Sequence, residues 1–265
     1  MRPTKAVAAA ARYAIDGWKQ KTFADVERAA AWKRRDEKLH SFVKASVPEA
    51  LDHTGHAAFD EHLIGVQSTL RTFGADEDVC TAGLFHSLYG TEGFQGYKFP
   101  ILRRPEIRDL IGPRAERMVW LFCVLDRKVF DDAVFAHGVA KPADLLARPE
   151  LGRFSLVLRD ADEWLDMLEL VLADWVDQVE GAAEKSNALY LWKEGHAWSY
   201  RRTAYMQMKE LLSQHRGDRG AHIKEVVDDV YARESLATKA LVQDVTPPMS
   251  DAAKDARDAL RSILL

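Results

Sequence analysis

Two helical periods in direct succession, each with one histidine on its apolar side, constrain this chain more than any other feature. They occupy FDEHLIGVQSTLRTFGADEDVCTAGLFHSLYGTE, from Phe59 to Glu92. Leu63, Val66, Leu70 and Phe73 recur at three- and four-residue spacing and so share one helix face, with His62 at its edge. Gly74 can take the left-handed conformation that ends a helix, and Asp76 is a favourable N-cap for the next. Glu77 and Asp78 fall in that helix's first turn, where its dipole favours negative charge. Val79, Ala82, Gly83 and His86 follow the i, i+3, i+4, i+7 rule, which turns His86 inward before Gly90 stops the run.

A third inward polar residue comes much later, in WLDMLELVLADWVDQVE. Met167, Leu170, Val171 and Asp174 share a face there, while Trp164, Leu168, Leu172, Trp175 and Val179 fill another. A helix apolar over so much of its girth belongs in the centre of a fold. A carboxylate on it needs a partner, because burying an unpaired charge costs several kcal/mol, on the order of the whole stability of a domain. Two inward histidines and one inward aspartate therefore call for one another, or for a metal ion between them.

The remaining chain reads as helices without strands. One is expected near residues 4–16, ending at Gly17, and a longer one from a Thr22 cap to about residue 46, with Val26, Ala30, Trp32 and Leu39 as apolar positions. SVPEALDHTGHAA is a loop bearing His53 and His56, and GFQGYKFPILRRP is a loop able to fold over a neighbouring site. Further helices are expected from Glu106 to Ile111, from Pro113 through VWLFCVLD, through KVFDDAVFAHG, through WSYRRTAYMQMKELL and HIKEVVDDVYARESL, and after Pro248. Asp160 or Asp162 caps the central helix. No Gly-rich phosphate loop and no internal repeat occurs. The fold class is all-α.

With 37 basic against 41 acidic residues scattered along the chain, no basic patch suggests nucleic acid or an anionic membrane as partner. No apolar run reaches membrane-spanning length. Cys80 and Cys123 lie in apolar helical runs, as small buried residues of a reducing compartment do. The N-terminal MRPTKAVAAAARYAIDGWKQK has the basic, acid-poor character of an organelle transit segment, but Asp16 and Trp18 interrupt it and serine is absent. A first amphipathic helix and a cytoplasmic location are expected.

The segments EHLIGVQ, TAGLFHSLYGTE and LVLADWVDQ resemble, in order and spacing, the motifs of the HD superfamily of metal-dependent phosphohydrolases, with the hydrolase domains of the RelA/SpoT group as the nearer likeness. That resemblance implies an HD-like multi-helix bundle over residues 49–183, with N-terminal helices (1–48) and a C-terminal helical extension (184–265) added. It implies His62, His86 and Asp174 as ligands of a divalent Mn, Fe or Zn ion, and Gln178 in the place of a family asparagine. The pattern GLFHSLYGTE, IGPRAERMVWLFC and ADWVDQVE is also similar to the family called domain of unknown function 6817, over roughly residues 50–180.

Departures from the HD pattern are specific. Ser87 stands where the family has the aspartate that follows the histidine, and a neutral hydroxyl is a poor ligand for such ions. Tyr89, Gly90 and Thr91 occupy the ground of the family's acidic pair, with Glu92 just beyond as an alternative acid. His53, Thr54, Gly55 and His56 replace the basic substrate-binding segment, so alarmone hydrolysis by the usual arrangement is not expected.

Two classes of function follow. One is a hydrolase of small phosphoesters or nucleotides, with metal at His62, His86 and Asp174, Glu92 or His53 moving protons, and Ser87 and Gln178 contacting substrate; an HD-fold iron oxygenase is a variant of it. The other is an inactive relative that binds a small molecule or a protein partner. Against both stand plainer roles: core histidines bonded to backbone or carboxylate, Asp174 paired with Arg201 or Arg202, Glu92 as a solvated loop acid, and Asp126 as a helix cap.

Overall fold

A computed structural model describes residues 10–46, 59–92, 98–179 and 196–234. Ten α-helices lie among them: α1 Ala10–Thr22, α2 Val26–Ser46, α3 Phe59–Phe73, α4 Glu77–Phe85, α5 Arg104–Ile111, α6 Pro113–Val124, α7 Arg127–His137, α8 Ala161–Asp177, α9 His196–His215 and α10 Gly217–Ala232. The described residues contain no strand, only isolated bridges between Leu125 and Ala147 and between Leu146 and Ser155. The all-α expectation holds. No described helix is long and apolar enough to cross a membrane.

The α3–α4 pair forms as its periodicity requires. Leu63, Val66, Leu70 and Phe73 have no exposed surface, and each buried side chain of this size contributes about 1.5–3 kcal/mol. Gly74 ends α3 at φ 76°, a conformation that glycine adopts without a side-chain clash. Asp76 does not cap α4 with its side chain; it is drawn instead to Arg114 and Arg219 at 3.5 and 3.4 Å.

Helix α8 is the axis of the fold. It packs against α1, α3, α4, α6 and α9, and everything from Glu163 through Asp174 is buried. Asp160, rather than Asp162, caps it by accepting the Glu163 N–H at 2.8 Å. Asp126 caps α7, accepting from Lys128 N and Val129 N, so its helix-terminal position does decide its role.

Three local expectations change. Helix α1 runs through Gly17 to Thr22, because a glycine in open space does not itself end a helix. Thr22 bonds back to the Trp18 carbonyl, and Asp25 meets the Arg28 N–H at the start of α2. On α2, Val26 is 78% exposed, while Trp32 lies beneath the Arg71 guanidinium and donates to Glu77 at 2.6 Å. The helix expected after Pro248 lies outside the described residues.

Candidate metal centre

Helices α3 and α4 enter α8 side by side, and their two histidines meet its C-terminal half. His62 and His86 are 3% and 1% exposed, and their rings lie 5.1 Å apart at 83°. Asp174 Oδ1 is 3.1 Å from His62 Nε2 and 3.4 Å from His86 Nε2. The three donor atoms all lie within 4.8 Å of one another. His62 and Asp174, 112 positions apart in the chain, thus converge with His86 in one interior site. Arg202 pairs with Glu234; the Arg201 side chain lies outside the described residues.

The outer partners decide which atoms face inward. His86 donates from Nδ1 to the Gly83 carbonyl at 2.7 Å, which leaves Nε2 toward Asp174. The His86 ring also stands edge-on to Phe122 at 4.9 Å, and its carbonyl accepts from Cys123 Sγ. His62 Nδ1 lies 2.8 Å from Asp177 Oδ2, and Lys19 Nζ of α1 donates to the other oxygen of that carboxylate at 2.7 Å. Gln178 Nε2 donates to Asp174 Oδ1 at 3.0 Å, so the residue placed here only by resemblance does touch the site.

Electrostatics make this convergence unusual. A carboxylate only accepts, and a neutral imidazole that donates from Nδ1 offers only a lone pair at Nε2. Acceptors facing one another at 3.1 and 3.4 Å require a proton or a cation between them. A proton on His62 meets that need at the 3.1 Å contact: burial alone would lower its pKa, but hydrogen bonds and charge from Asp174 and Asp177 outweigh burial and raise it to about 9. In turn His62 and His86 hold Asp174 well below the ordinary carboxylate range against the effect of burial. Asp177 falls to about 2, since Lys19 and His62 outweigh its burial.

A divalent ion could take the proton's place. Adjacent ligands bonded at about 2.1 Å stand roughly 3.0–3.4 Å apart, near the two separations from Asp174. Two imidazoles and one carboxylate are a donor set suited to Zn, Fe or Mn. The group His62, His86 and Asp174 could therefore hold a metal ion.

The other expected residues stand differently. Ser87 is buried in the turn after α4, and its carbonyl accepts from Gly90 N. Glu92 is not a solvated loop acid: it is 5% exposed and accepts the Arg127 N–H at the start of α7. His53 and His56 lie outside the described residues. Sequence reasoning passed over Asp177 and Lys19. Asp177 follows Asp174 by three residues and so shares its side of α8, a signal that could have found it; nothing local marks Lys19.

One family matches. Residues 42–127 fit the family described as Domain of unknown function (DUF6817). The match is narrower than the span expected from the sequence: it includes His62, His86, Ser87 and Glu92 and stops before α8, so Asp174, Asp177 and Gln178 lie beyond it, as Lys19 lies before it. The HD likeness finds no support in these comparisons. No curated protein and no solved structure matches the chain.

Proposed function

We propose that this chain is a divalent-metal-dependent hydrolase of small phosphoesters, built on an HD-like bundle. The observation that carries the reading is the convergence of His62, His86 and Asp174, each oriented by a further partner. Oriented outer partners are what metal-binding histidines use to fix the tautomer. A divalent ion held by these residues would supply a Lewis acid for a phosphoryl oxygen and would acidify a water molecule.

The chain's own residues have separable roles in this reading. His62 and His86 present Nε2, and Asp174 balances charge and bridges the two rings. Gln178 holds Asp174 and can turn its amide toward a substrate oxygen. Three protein donors leave positions of a four- to six-coordinate ion for water and substrate. His53 and Glu92 are the proposed proton carriers.

A second reading, a metal-binding module without turnover, is favoured by Ser87 in the place of a carboxylate and by Glu92 being engaged at the start of α7. Hydrolysis of a chromogenic phosphodiester and of nucleotides separates the two. The hydrolase reading expects turnover with Mn, Fe or Zn, abolished by chelation and reduced at least 10²-fold in Asp174→Ala, the scale on which a direct electrostatic contributor acts. Metal uptake without turnover on any phosphoester would replace it with the second reading.

A further inference from the structure

We propose that α1 is a working part of the metal centre: Lys19 holds Asp177, and Asp177 fixes the His62 ring with Nε2 toward the metal. This inference rests on the metal reading above and deepens it. Of the Asp177 carboxylate oxygens, Oδ1 receives the Lys19 ammonium at 2.7 Å and Oδ2 faces His62 Nδ1 at 2.8 Å. A carboxylate held at both oxygens cannot rotate away from the imidazole. A histidine that donates from Nδ1 to a carboxylate offers Nε2 as a more basic, oriented ligand, and losing such a partner typically weakens metal binding about 10–100-fold.

Two further observations show that the molecule makes room for this relay. Gly65, one turn along α3 from His62, lies against the Asp177 carboxylate: a Cβ there would stand 2.4 Å from Asp177 Oδ1 and 2.6 Å from Oδ2. Any larger residue would push the carboxylate off His62. Helix α1 is itself anchored, with Trp18 Nε1 donating to Asp229 of α10 at 2.9 Å and its ring edge-on to His222 at 5.7 Å. Lys19 is thereby directed inward, its side chain 13% exposed, whereas Lys21 on the same helix stays exposed over the Trp18 ring. Lys19 and Asp177 are positioning residues rather than ligands. They lie on either side of the matched family segment, so the centre draws on parts of the chain that the family match does not include.

The test is zinc affinity of the full chain, measured by competition with a chromophoric chelator, with ¹⁵N NMR of the His62 ring and thermal melts of each variant. Asp177→Asn and Lys19→Met are expected to weaken zinc about 10–100-fold and to lower the share of the Nδ1–H tautomer at His62. Lys19→Arg should restore affinity, and Lys21→Met should leave it unchanged. Gly65→Ala displaces the carboxylate without removing charge and should weaken zinc as well, which keeps the test decisive if Lys19→Met does not fold. Wild-type zinc affinity in Asp177→Asn, or in Gly65→Ala, would overturn the relay while leaving the metal reading intact. A wild-type chain that takes up no zinc, manganese or iron would overturn the metal reading and the relay together.

Discussion

Helix α8 carries five buried acids, and two pairs among them are resolved in opposite ways. Near its start, Asp166 and Glu169 meet guanidinium groups: Arg114 and Arg216 lie 2.6 and 2.5 Å from Asp166, and Arg216 and Arg219 lie 2.9 and 3.1 Å from Glu169. Near its end, Asp174 and Asp177 meet imidazoles and one ammonium. Both pairs satisfy the rule that buried charge must be partnered. They differ in what the partner can surrender. A guanidinium keeps its protons at any physiological pH, so the first pair ties α6, α8 and α10 with no proton on the basic side to give up, although burial pushes Glu169 up to about 7 against the pull of Arg219 and Arg216. An imidazole can exchange its proton for a metal ion, so the second pair can be a site. Burial of carboxylates alone does not mark function; the chemistry of what faces them does.

The largest effect that would break this comparison is expected at the arginine end. Arg216→Ala removes one of two guanidinium groups from each of Asp166 and Glu169, leaving Arg114 and Arg219, and breaking buried pairs in this way costs up to about 3–5 kcal/mol. Chemical denaturation should show that loss, while metal content of the folded fraction stays at the wild-type value. Loss of metal with unchanged stability would reverse the roles assigned to the two ends.

A pH effect of somewhat smaller size belongs to the imidazole end. The His62 pKa is raised above its unfolded value of 6.5, to about 9. Its contribution is therefore fully present below pH 6.5 and is lost as pH rises through about 9, amounting to about 3 kcal/mol. Melts of the metal-free protein across that window should show the decline, and bound metal, which replaces the proton, should remove it. A decline of the same size with metal bound would separate the proton from the metal position.

Smallest is the steric effect at Gly65. A methyl group there meets the Asp177 carboxylate at 2.4 Å, and overpacking of this kind costs about 1–3 kcal/mol. Gly65→Ala should lower the melting temperature, whereas alanine at Gly17, around which no atom stands within 4 Å of a Cβ, should not.

What could be read in the sequence was whatever rests on local period. His62, His86 and Asp174 were legible because apolar neighbours at helical spacing fix which way each side chain faces, whereas Gln178 was placed only by the resemblance. The buried face of α3 and the centrality of α8 follow from the same period. Lys19 was illegible because its partner lies 158 positions away and only packing brings them together. Asp76 has the composition of a cap, yet two arginines from distant helices claim its side chain. Glu92 looked solvated for the complementary reason: the buried N–H of Arg127 that it satisfies belongs to a helix start 35 residues on.

The central claim is that His62, His86 and Asp174 hold one metal ion, and elemental analysis of protein purified without a histidine tag tests it most directly. The account predicts one equivalent of Mn, Fe or Zn per chain, absent from His86→Ala and Asp174→Ala. A wild-type protein free of metal, with stability unchanged in both variants, would contradict it.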